Sequence, residues 1–276
     1  VPPRLKPGDR VAIVQPAAGL ALMFPHVYQL GLRRLREVFG LEPVEFPTTR
    51  MDRVELAAHP ERRAEDLHAA FSDPSIAGVI AVIGGNDQYK ILKYLDPAIL
   101  RANPKVFMGY SDNTSLHLFL WKLGLVSYYG GMVLTQFAMQ GAMHAYSADG
   151  IRRAVFDEAI GLWGPAPEYT DVDLPWNDVS LLDTPRPMFP SPERVWVNAA
   201  GKRISGRLWG GCLEVFHTHL VMRAHLPDFD ALNGTVLFIE TSEEMPPTSM
   251  VDRILSVMGE IGLLQRFAAV LVGRPK

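Results

Sequence analysis

A serine stands where an apolar strand meets a helix in KVFMGYSDNTSLHLFLWKLG, residues 105–124. A sharp turn at Gly-Tyr-Ser would place the Ser111 hydroxyl at the carboxyl edge of a sheet, above a helix N-terminus that favours a developing oxyanion. The match to the G-x-S-x-G nucleophile motif is incomplete, because Asn113 replaces the second glycine. The alternative is that Ser111, Asp112 or Thr114 only caps the helix. This stretch alone leaves both a nucleophile and a cap open.

A glycine pair follows another strand, in VIGGNDQYK. Gly84 and Gly85 let backbone N–H groups approach a ligand closely, and we expect Asn86 and Asp87 to cap the following helix. Amide donors there, with the amide that follows Ser111, would form an oxyanion hole. The alternative is an ordinary glycine turn. The stretch lacks G-x-G-x-x-G and Walker spacing, which disfavours phosphate binding by either motif.

A glutamate ends a third apolar strand, in LFIETSEEMPP. A carboxylate at the carboxyl end of a strand is well placed to orient a catalytic histidine. A capping role for Glu240 is the alternative. Glu243 and Glu244 are predicted to lie in a solvated loop.

The histidines offer no evident partner for Ser111. His117 lies on the helix that follows Ser111 and is expected to pack against its neighbours. His217 and His219 are two residues apart and diverge on a helix, so a zinc pair is disfavoured. The residues therefore predict no metal site.

Two tryptophans fall in a stretch rich in proline, aromatic residues and Asp or Asn. Trp176 and Trp196 are either buried plugs or stacking surfaces for a planar ligand. The sequence pattern favours the plug.

Alternating strands and helices must position these residues. Up to about residue 160, RVAIVQP, PVEFPT, AGVIAVIGG and KVFMGY are predicted strands, separated by helical patterns. This alternation predicts an α/β domain over 1–160 with a mainly parallel sheet. Few regular elements are expected in the connector, 161–205. A second set, GRLWGGCLEVFHTHL, TVLFIET, PPTSMVDRILSVMGEIGLL and AAVLVGR, forms a smaller domain over 206–276.

The composition excludes several classes of protein. The chain has 276 residues, a formal net charge of −3 and one cysteine. It therefore lacks a basic field for nucleic acid, and an intrachain disulfide is impossible. No apolar run approaches the roughly 20 residues that span a bilayer. We expect a cytoplasmic protein with a small-molecule ligand and no nucleic-acid or membrane partner, although the start at Val1 is typical of a processed N-terminus.

Five ordered motifs carry a family resemblance: LKPGDRVAIVQPAAG, VIGGND, GYSDNTSLHLFLWKLGLVSYYGG, GRLWGGCLEVF, and LFIETSEE followed by VDRILSVMGEIGLL and AVLVGRPK. In this order they resemble the LD-carboxypeptidase family of serine peptidases, and more closely its microcin C immunity (MccF-type) branch. The resemblance covers nearly the whole chain. It implies a Rossmann- or flavodoxin-like N-terminal domain and a smaller, barrel-like C-terminal α/β domain.

The resemblance also implies a Ser-His-Glu hydrolase without metal or cofactor. Ser111 matches the nucleophile and Glu240 the acidic member, while the amides of Gly85 and Asp112 match the oxyanion hole. The substrate is then a peptidyl- or aminoacyl-nucleotide, or alternatively a murein tetrapeptide, and the protein is a homodimer.

Substrate contacts are expected from Gly84 and Asn86, and base stacking from Trp176 or, second, Trp196. A non-catalytic homologue that only binds a ligand is the remaining alternative.

Two positions depart from the family pattern. The family's histidine lies some sixty to seventy residues after the glutamate, which would place it beyond Lys276. We expect that segment to be missing from this sequence, the alternative being that it has been lost and the chain is inactive. Cys212 stands where many relatives have asparagine in GGNL, with an unknown effect on the loop.

Overall fold

The computed structural model describes residues 1–198, 201 and 203–275. Its larger sheet contains β1 (Arg10–Val14), β2 (Glu42–Glu45), β3 (Ile76–Ala81), β4 (Val106–Gly109) and β5 (Tyr128–Tyr129). All five strands are parallel, in the order β2-β1-β3-β4-β5. This is the strand order of flavodoxin-like sheets, so the predicted α/β class is confirmed.

Helices and short turns connect these strands. The α-helices are α1 (Pro25–Phe39), α2 (Arg53–Ala58), α3 (Pro60–Ser72), α4 (Pro97–Ala102), α5 (Thr114–Lys122) and α6 (Ala145–Val155). The segment Gln88–Tyr94 was predicted as a helix and is a 3-10 helix. Further 3-10 turns occupy Pro47–Arg50 and Ser111–Asn113, and Val133–Phe137 forms a π-helical turn.

The boundaries of α1 follow from its sequence. Pro25 occupies the first turn, where a missing backbone N–H costs nothing. Gly40 ends the helix in the left-handed conformation, at φ 68°, which glycine adopts without a Cβ penalty.

The three central strands of the larger sheet, β1, β3 and β4, are buried on both faces. Val11 and Ile13 of β1 pack in one apolar cluster with α1, whereas Ala12 and Val14 pack in another with α3. Alternate side chains of a strand point to opposite faces, so helices cover both sides of the sheet.

The connector over 161–205 contains little regular structure, as predicted. It contributes two short antiparallel strands and one 3-10 turn: β6 (Glu168–Tyr169), β7 (Phe189–Pro190) and Val179–Leu181. Three of its residues, 199, 200 and 202, lie outside the described residues.

The smaller sheet has three parallel strands, in the order β10-β9-β8. Its elements are β8 (Leu208–Cys212), α7 (Leu213–Met222), β9 (Val236–Glu240), α8 (Thr248–Glu260) and β10 (Ala269–Val272), with 3-10 turns at Phe229–Leu232 and Leu264–Arg266. A smaller α/β unit is thus confirmed, whereas its closure into a barrel and the boundaries at 160 and 205 stay predictions.

Helix α5 joins the two sheets. Leu118 belongs to the apolar cluster of the smaller sheet, packed with Trp209 and Leu237. The Trp121 indole donates a hydrogen bond to the Leu208 carbonyl at 3.1 Å. The helix that follows Ser111 therefore fixes β8 and β9 relative to the larger sheet. Across the part of the chain described, no helix has the length and apolar character needed to cross a membrane.

Candidate active site

A cleft of about 1360 Å³ lies at the carboxyl edge of the larger sheet. Its wall includes Ser111, Glu240, Gly84 and Gly85, which follow β4, β9 and β3. Trp176 of the connector also lines it. The carboxyl ends of β3 and β4 meet at one edge of the larger sheet, and the packing of the smaller sheet against it brings Glu240, at the end of β9, into the same cavity.

Ser111 occupies a strained turn between β4 and α5. Its φ is +59°, in the left-handed region that residues other than glycine rarely adopt. Two contacts hold this conformation: the Ser111 N–H donates to the Tyr129 hydroxyl at 3.0 Å, and the Ser111 carbonyl accepts from the Thr114 hydroxyl at 2.6 Å. Such a turn exposes a serine hydroxyl above the sheet edge, as a nucleophile requires.

The glycine pair, Gly84-Gly85, lies directly against the turn at Ser111. A Cβ on Gly84 would stand 3.0 Å from Ser111 Cβ and 3.1 Å from Ser111 Oγ. A Cβ on Gly85 would stand 2.9 Å from the Ala18 nitrogen. Only glycine fits this approach without displacement, which explains both residues in physical terms. Asn86, next along the chain, is exposed on the cleft wall.

The helix after the glycine pair is capped from outside its own segment. The prediction that Asn86 and Asp87 cap it is wrong, because no side chain at its N-terminus does so. Instead the Asp112 carboxylate accepts the N–H groups of Asp87 and Gln88, each at 2.9 Å. The Asp87 carboxylate accepts from the buried Arg63 at 2.7 Å. Asp112, the residue after Ser111, thus ties the segment that follows Gly84-Gly85 to the turn at Ser111.

Burial controls the ionisation of Asp112. Its side chain is 2% exposed, and this desolvation raises the pKa of the carboxyl to about 6. The two backbone N–H donors act against that rise because they stabilise the charged form.

Glu240 ends β9 and lines the cleft near Ser111, to which the Tyr129 hydroxyl links it. Its Oε1 accepts a hydrogen bond of 2.6 Å from the Tyr129 hydroxyl. Burial raises the pKa of Glu240, and the hydrogen bond from Tyr129 counteracts that rise. Glu243 and Glu244 are exposed in the loop beyond the strand, as predicted.

Tyr129 was not identified as a site residue from the sequence. Its only sequence signal is its position: it ends a short strand and precedes Gly130-Gly131. The structure shows it in contact with both Ser111 and Glu240. It therefore links the two residues that the sequence had proposed independently.

None of the histidines in the described residues is hydrogen-bonded to Ser111 or Glu240. His117 is buried between Ser127 and the Gly109 carbonyl, and His219 is bonded to Ser115. Burial lowers the pKa of each imidazole to about 4, so both are neutral at pH 7. His217 is exposed.

No group of three or more metal-ligating side chains assembles within the described residues. The cleft is built instead from a hydroxyl, carboxylates and backbone amides, which suits acyl-transfer chemistry.

The two connector tryptophans occupy different environments. Trp176 lines the cleft and meets Phe24 edge to face, with ring centroids 5.4 Å apart. Trp196 is 68% exposed and is not among the residues that line the cleft. Trp176 is partly buried, so the predicted plug fits it in part. Trp196 is exposed, so the predicted plug does not fit it.

Cys212 is buried where β8 meets α7. Its N–H donates to the Thr114 hydroxyl at 2.9 Å, and its thiol donates to Glu214 at 3.3 Å. Burial raises the pKa of the thiol, so it is not a thiolate at neutral pH. Cys212 thus joins the smaller sheet to the segment that follows Ser111, through its hydrogen bond to Thr114.

Fold and site together define an α/β protein with a serine-containing cleft at the end of a parallel sheet. Models of the LD-carboxypeptidase N-terminal and C-terminal domains match residues 11–130 and 205–276. A putative carboxypeptidase of Streptomyces coelicolor is 31% identical over 99% of this chain and 76% of its own length. The chain belongs to the LD-carboxypeptidase family, a family of serine carboxypeptidases.

Proteins of the microcin immunity type are also similar. The microcin C7 self-immunity protein MccF of Escherichia coli is 26% identical over 78% of this chain and 60% of its own length. A crystal structure of an MccF-like protein from Streptococcus pneumoniae in complex with AMP is 29% identical, with a TM-score of 0.88 over 97% of this chain and 82% of that one. MccF in complex with aspartyl sulfamoyl adenosine, at 20% identity, has the same fold, with a TM-score of 0.86 over 100% of this chain and 80% of that one.

Proposed function

We propose that this protein is a metal-independent serine carboxypeptidase that hydrolyses an amide in aminoacyl- or peptidyl-nucleotides. One observation carries the proposal: Ser111 adopts a strained turn in a cleft that it shares with Glu240, against a glycine pair. Strain at a single polar residue in a cleft is typical of functional sites.

In the proposed mechanism Ser111 attacks the carbonyl carbon of the scissile amide. A histidine takes the hydroxyl proton and then gives it to the leaving amine, which departs and leaves an acyl-enzyme. Water, deprotonated by the same histidine, then releases the acid and restores Ser111. No histidine in the described residues is hydrogen-bonded to Ser111, and we assign this role to a histidine of the full-length protein that lies outside this sequence.

Glu240 and two backbone amides support this chemistry in the proposal. The Glu240 carboxylate orients the histidine and stabilises its charged form. The amides of Gly85 and Asp112 stabilise the oxyanion. The Asp112 carboxylate helps to hold these two amides in a fixed relative position, because it accepts hydrogen bonds from Asp87 and Gln88, which closely follow Gly85.

The relatives and Trp176 support the proposed substrate class. The pneumococcal relative binds AMP, and MccF binds an aminoacyl sulfamoyl adenosine. In this chain Trp176 presents an aromatic surface to the cleft and is our candidate for stacking on the base, with Asn86 and Gly84 as further substrate contacts. The family name favours one alternative, an L,D-carboxypeptidase acting on murein tetrapeptides. A cytoplasmic location and a homodimer stay predictions.

The experiment uses the full-length gene product. It is incubated separately with an aminoacyl sulfamoyl adenosine and an L,D-tetrapeptide, and products are read by mass spectrometry with Ser111→Ala as control. Serine-dependent release of the amino acid supports the proposal. Release of only terminal D-alanine moves the protein to the murein alternative. No product from either substrate, together with ligand binding, indicates a non-catalytic homologue.

A further inference from the structure

We propose that Tyr129 is a positioning residue, whose hydroxyl holds the Glu240 carboxylate and the backbone of Ser111 in one fixed arrangement. The inference rests on the proposed function, because it assigns to Tyr129 the alignment of the nucleophile with the acidic member. It concerns a residue for which the sequence alone indicated no role.

The direction of each hydrogen bond follows from the number of protons available. The Ser111 N–H can only donate, so the Tyr129 oxygen accepts it at 3.0 Å. The single hydroxyl proton of Tyr129 is therefore directed to Glu240 Oε1, at 2.6 Å. The Thr114 hydroxyl, 3.3 Å from the Tyr129 oxygen, donates its own proton to the Ser111 carbonyl. Tyr129 is thus donor to the acid and acceptor from the nucleophile's backbone.

The backbone of Tyr129 is fixed to the strand that carries the nucleophile. Tyr129 pairs with Gly109 in the parallel ladder, two residues before Ser111. The Gly130 N–H then donates to the Gly109 carbonyl at 2.9 Å. The strand register therefore sets the position of the Tyr129 backbone relative to the turn at Ser111.

The ring of Tyr129 is fixed from both sheets. It packs against His117 on α5, with centroids 5.4 Å apart, and edge to face against Phe238 on β9, with centroids 5.2 Å apart. Phe238 lies on the strand that ends in Glu240. A change that keeps the ring and removes only the oxygen therefore tests the hydroxyl separately from the packing.

The electrostatics agree with this geometry. Burial and the nearby Glu240 charge raise the pKa of Tyr129 well above its ordinary value, so the hydroxyl stays protonated and able to donate. The remaining titratable groups that act on Glu240 are Glu214, Cys212 and Glu243, of which the two glutamates raise its pKa. Removing the Tyr129 donor leaves the burial effect less opposed, so the pKa of Glu240 rises further.

The test compares Tyr129→Phe with Tyr128→Phe in the full-length protein. Tyr128 is the matched control, because its hydroxyl accepts from Arg4 at 3.3 Å and does not contact the site residues. The measurement is the second-order rate constant for labelling of the active serine by a fluorophosphonate as a function of pH, with thermal unfolding recorded for each variant.

We expect Tyr129→Phe to slow labelling by about tenfold or more, the usual size for loss of a hydrogen bond to a charged group. We also expect the loss of labelling at low pH to begin at a higher pH in Tyr129→Phe than in the wild type, because the pKa of Glu240 rises when its donor is removed. Tyr128→Phe should match the wild type in both. In a Glu240→Gln background the effect of Tyr129→Phe should shrink, because much of its action passes through Glu240.

Three results overturn the inference in distinguishable ways. A wild-type protein that is not labelled at Ser111 refutes the proposed function and the inference together. Normal labelling of Tyr129→Phe, with the wild type labelled, refutes the inference alone. Slower labelling accompanied by equal losses in Tyr128→Phe, or by loss of cooperative unfolding, shows a general structural role and also refutes it.

Discussion

Replacing Ser111 by glycine should stabilise the fold relative to replacement by alanine. Both variants lack the hydroxyl, so they differ only in the backbone preference at φ +59°. A residue with a Cβ costs about 1–2 kcal/mol in the left-handed region. Glycine costs about 0.5–1 kcal/mol in unfolded-state entropy. The difference predicts that Ser111→Gly is more stable by about 0.75 kcal/mol, within a range of about 0–1.5 kcal/mol.

The assay is urea unfolding of the two variants under identical conditions, analysed as a difference between their free energies of unfolding. Ala69→Gly is the control, because Ala69 is exposed in the interior of α3. There glycine meets ordinary helical geometry and should lower the stability by about 0.5–1 kcal/mol. Opposite signs at the two positions are the expected result.

A Ser111→Gly variant that is no more stable than Ser111→Ala would refute the reasoning. It would mean that the turn at Ser111 carries no strain in solution. The main structural observation behind the nucleophile assignment would then be lost, although the cleft and its residues would remain.

Three further predictions concern the cleft. Gly84→Ala should reduce the rate of hydrolysis about 10–100-fold, because the added methyl group displaces Ser111. Gly164→Ala is the control and should retain the full rate, because the space around Gly164 is open. Equal rates of the two variants in steady-state kinetics would contradict this prediction. Trp176→Ala should weaken binding of an adenylate about tenfold or more by calorimetry, and Trp196→Ala should not; the reverse order would exclude stacking on Trp176. The raised pKa of Asp112, about 6 against an ordinary 3.8, gives stability that is present at low pH and lost as pH rises through 6. The melting temperature of the wild type relative to Asp112→Asn should therefore fall between pH 4 and 6, and a constant difference would disprove the shift.

The sequence singled out Ser111, the Gly84-Gly85 pair and Glu240 because each lies at or just after the end of a predicted strand. Parallel strands of one sheet end at a common edge, so this local pattern relates Ser111 to the glycine pair, whereas Glu240 belongs to the second sheet and reaches the cleft through the packing of the two sheets. The alternating elements of the larger sheet were predicted from the apolar runs of its strands and the helical patterns between them.

Long-range contacts were beyond the sequence pattern. The cap that Asp112 provides joins segments 24 and 25 residues apart, and local capping preferences indicated Asp87 instead. The bond from Tyr129 to Glu240 spans 111 residues and depends on how the two sheets pack. The family resemblance ranked Trp176 ahead of Trp196 as the stacking residue, and the path of the connector separates them, because Trp176 lines the cleft and Trp196 does not.

The most direct test of the central claim is covalent labelling of the full-length protein by a fluorophosphonate, followed by peptide mapping. The account predicts one adduct, on Ser111, whose formation an aminoacyl sulfamoyl adenosine slows by competition. An adduct on another serine, or none on a folded protein, would contradict the assignment of Ser111 as the nucleophile.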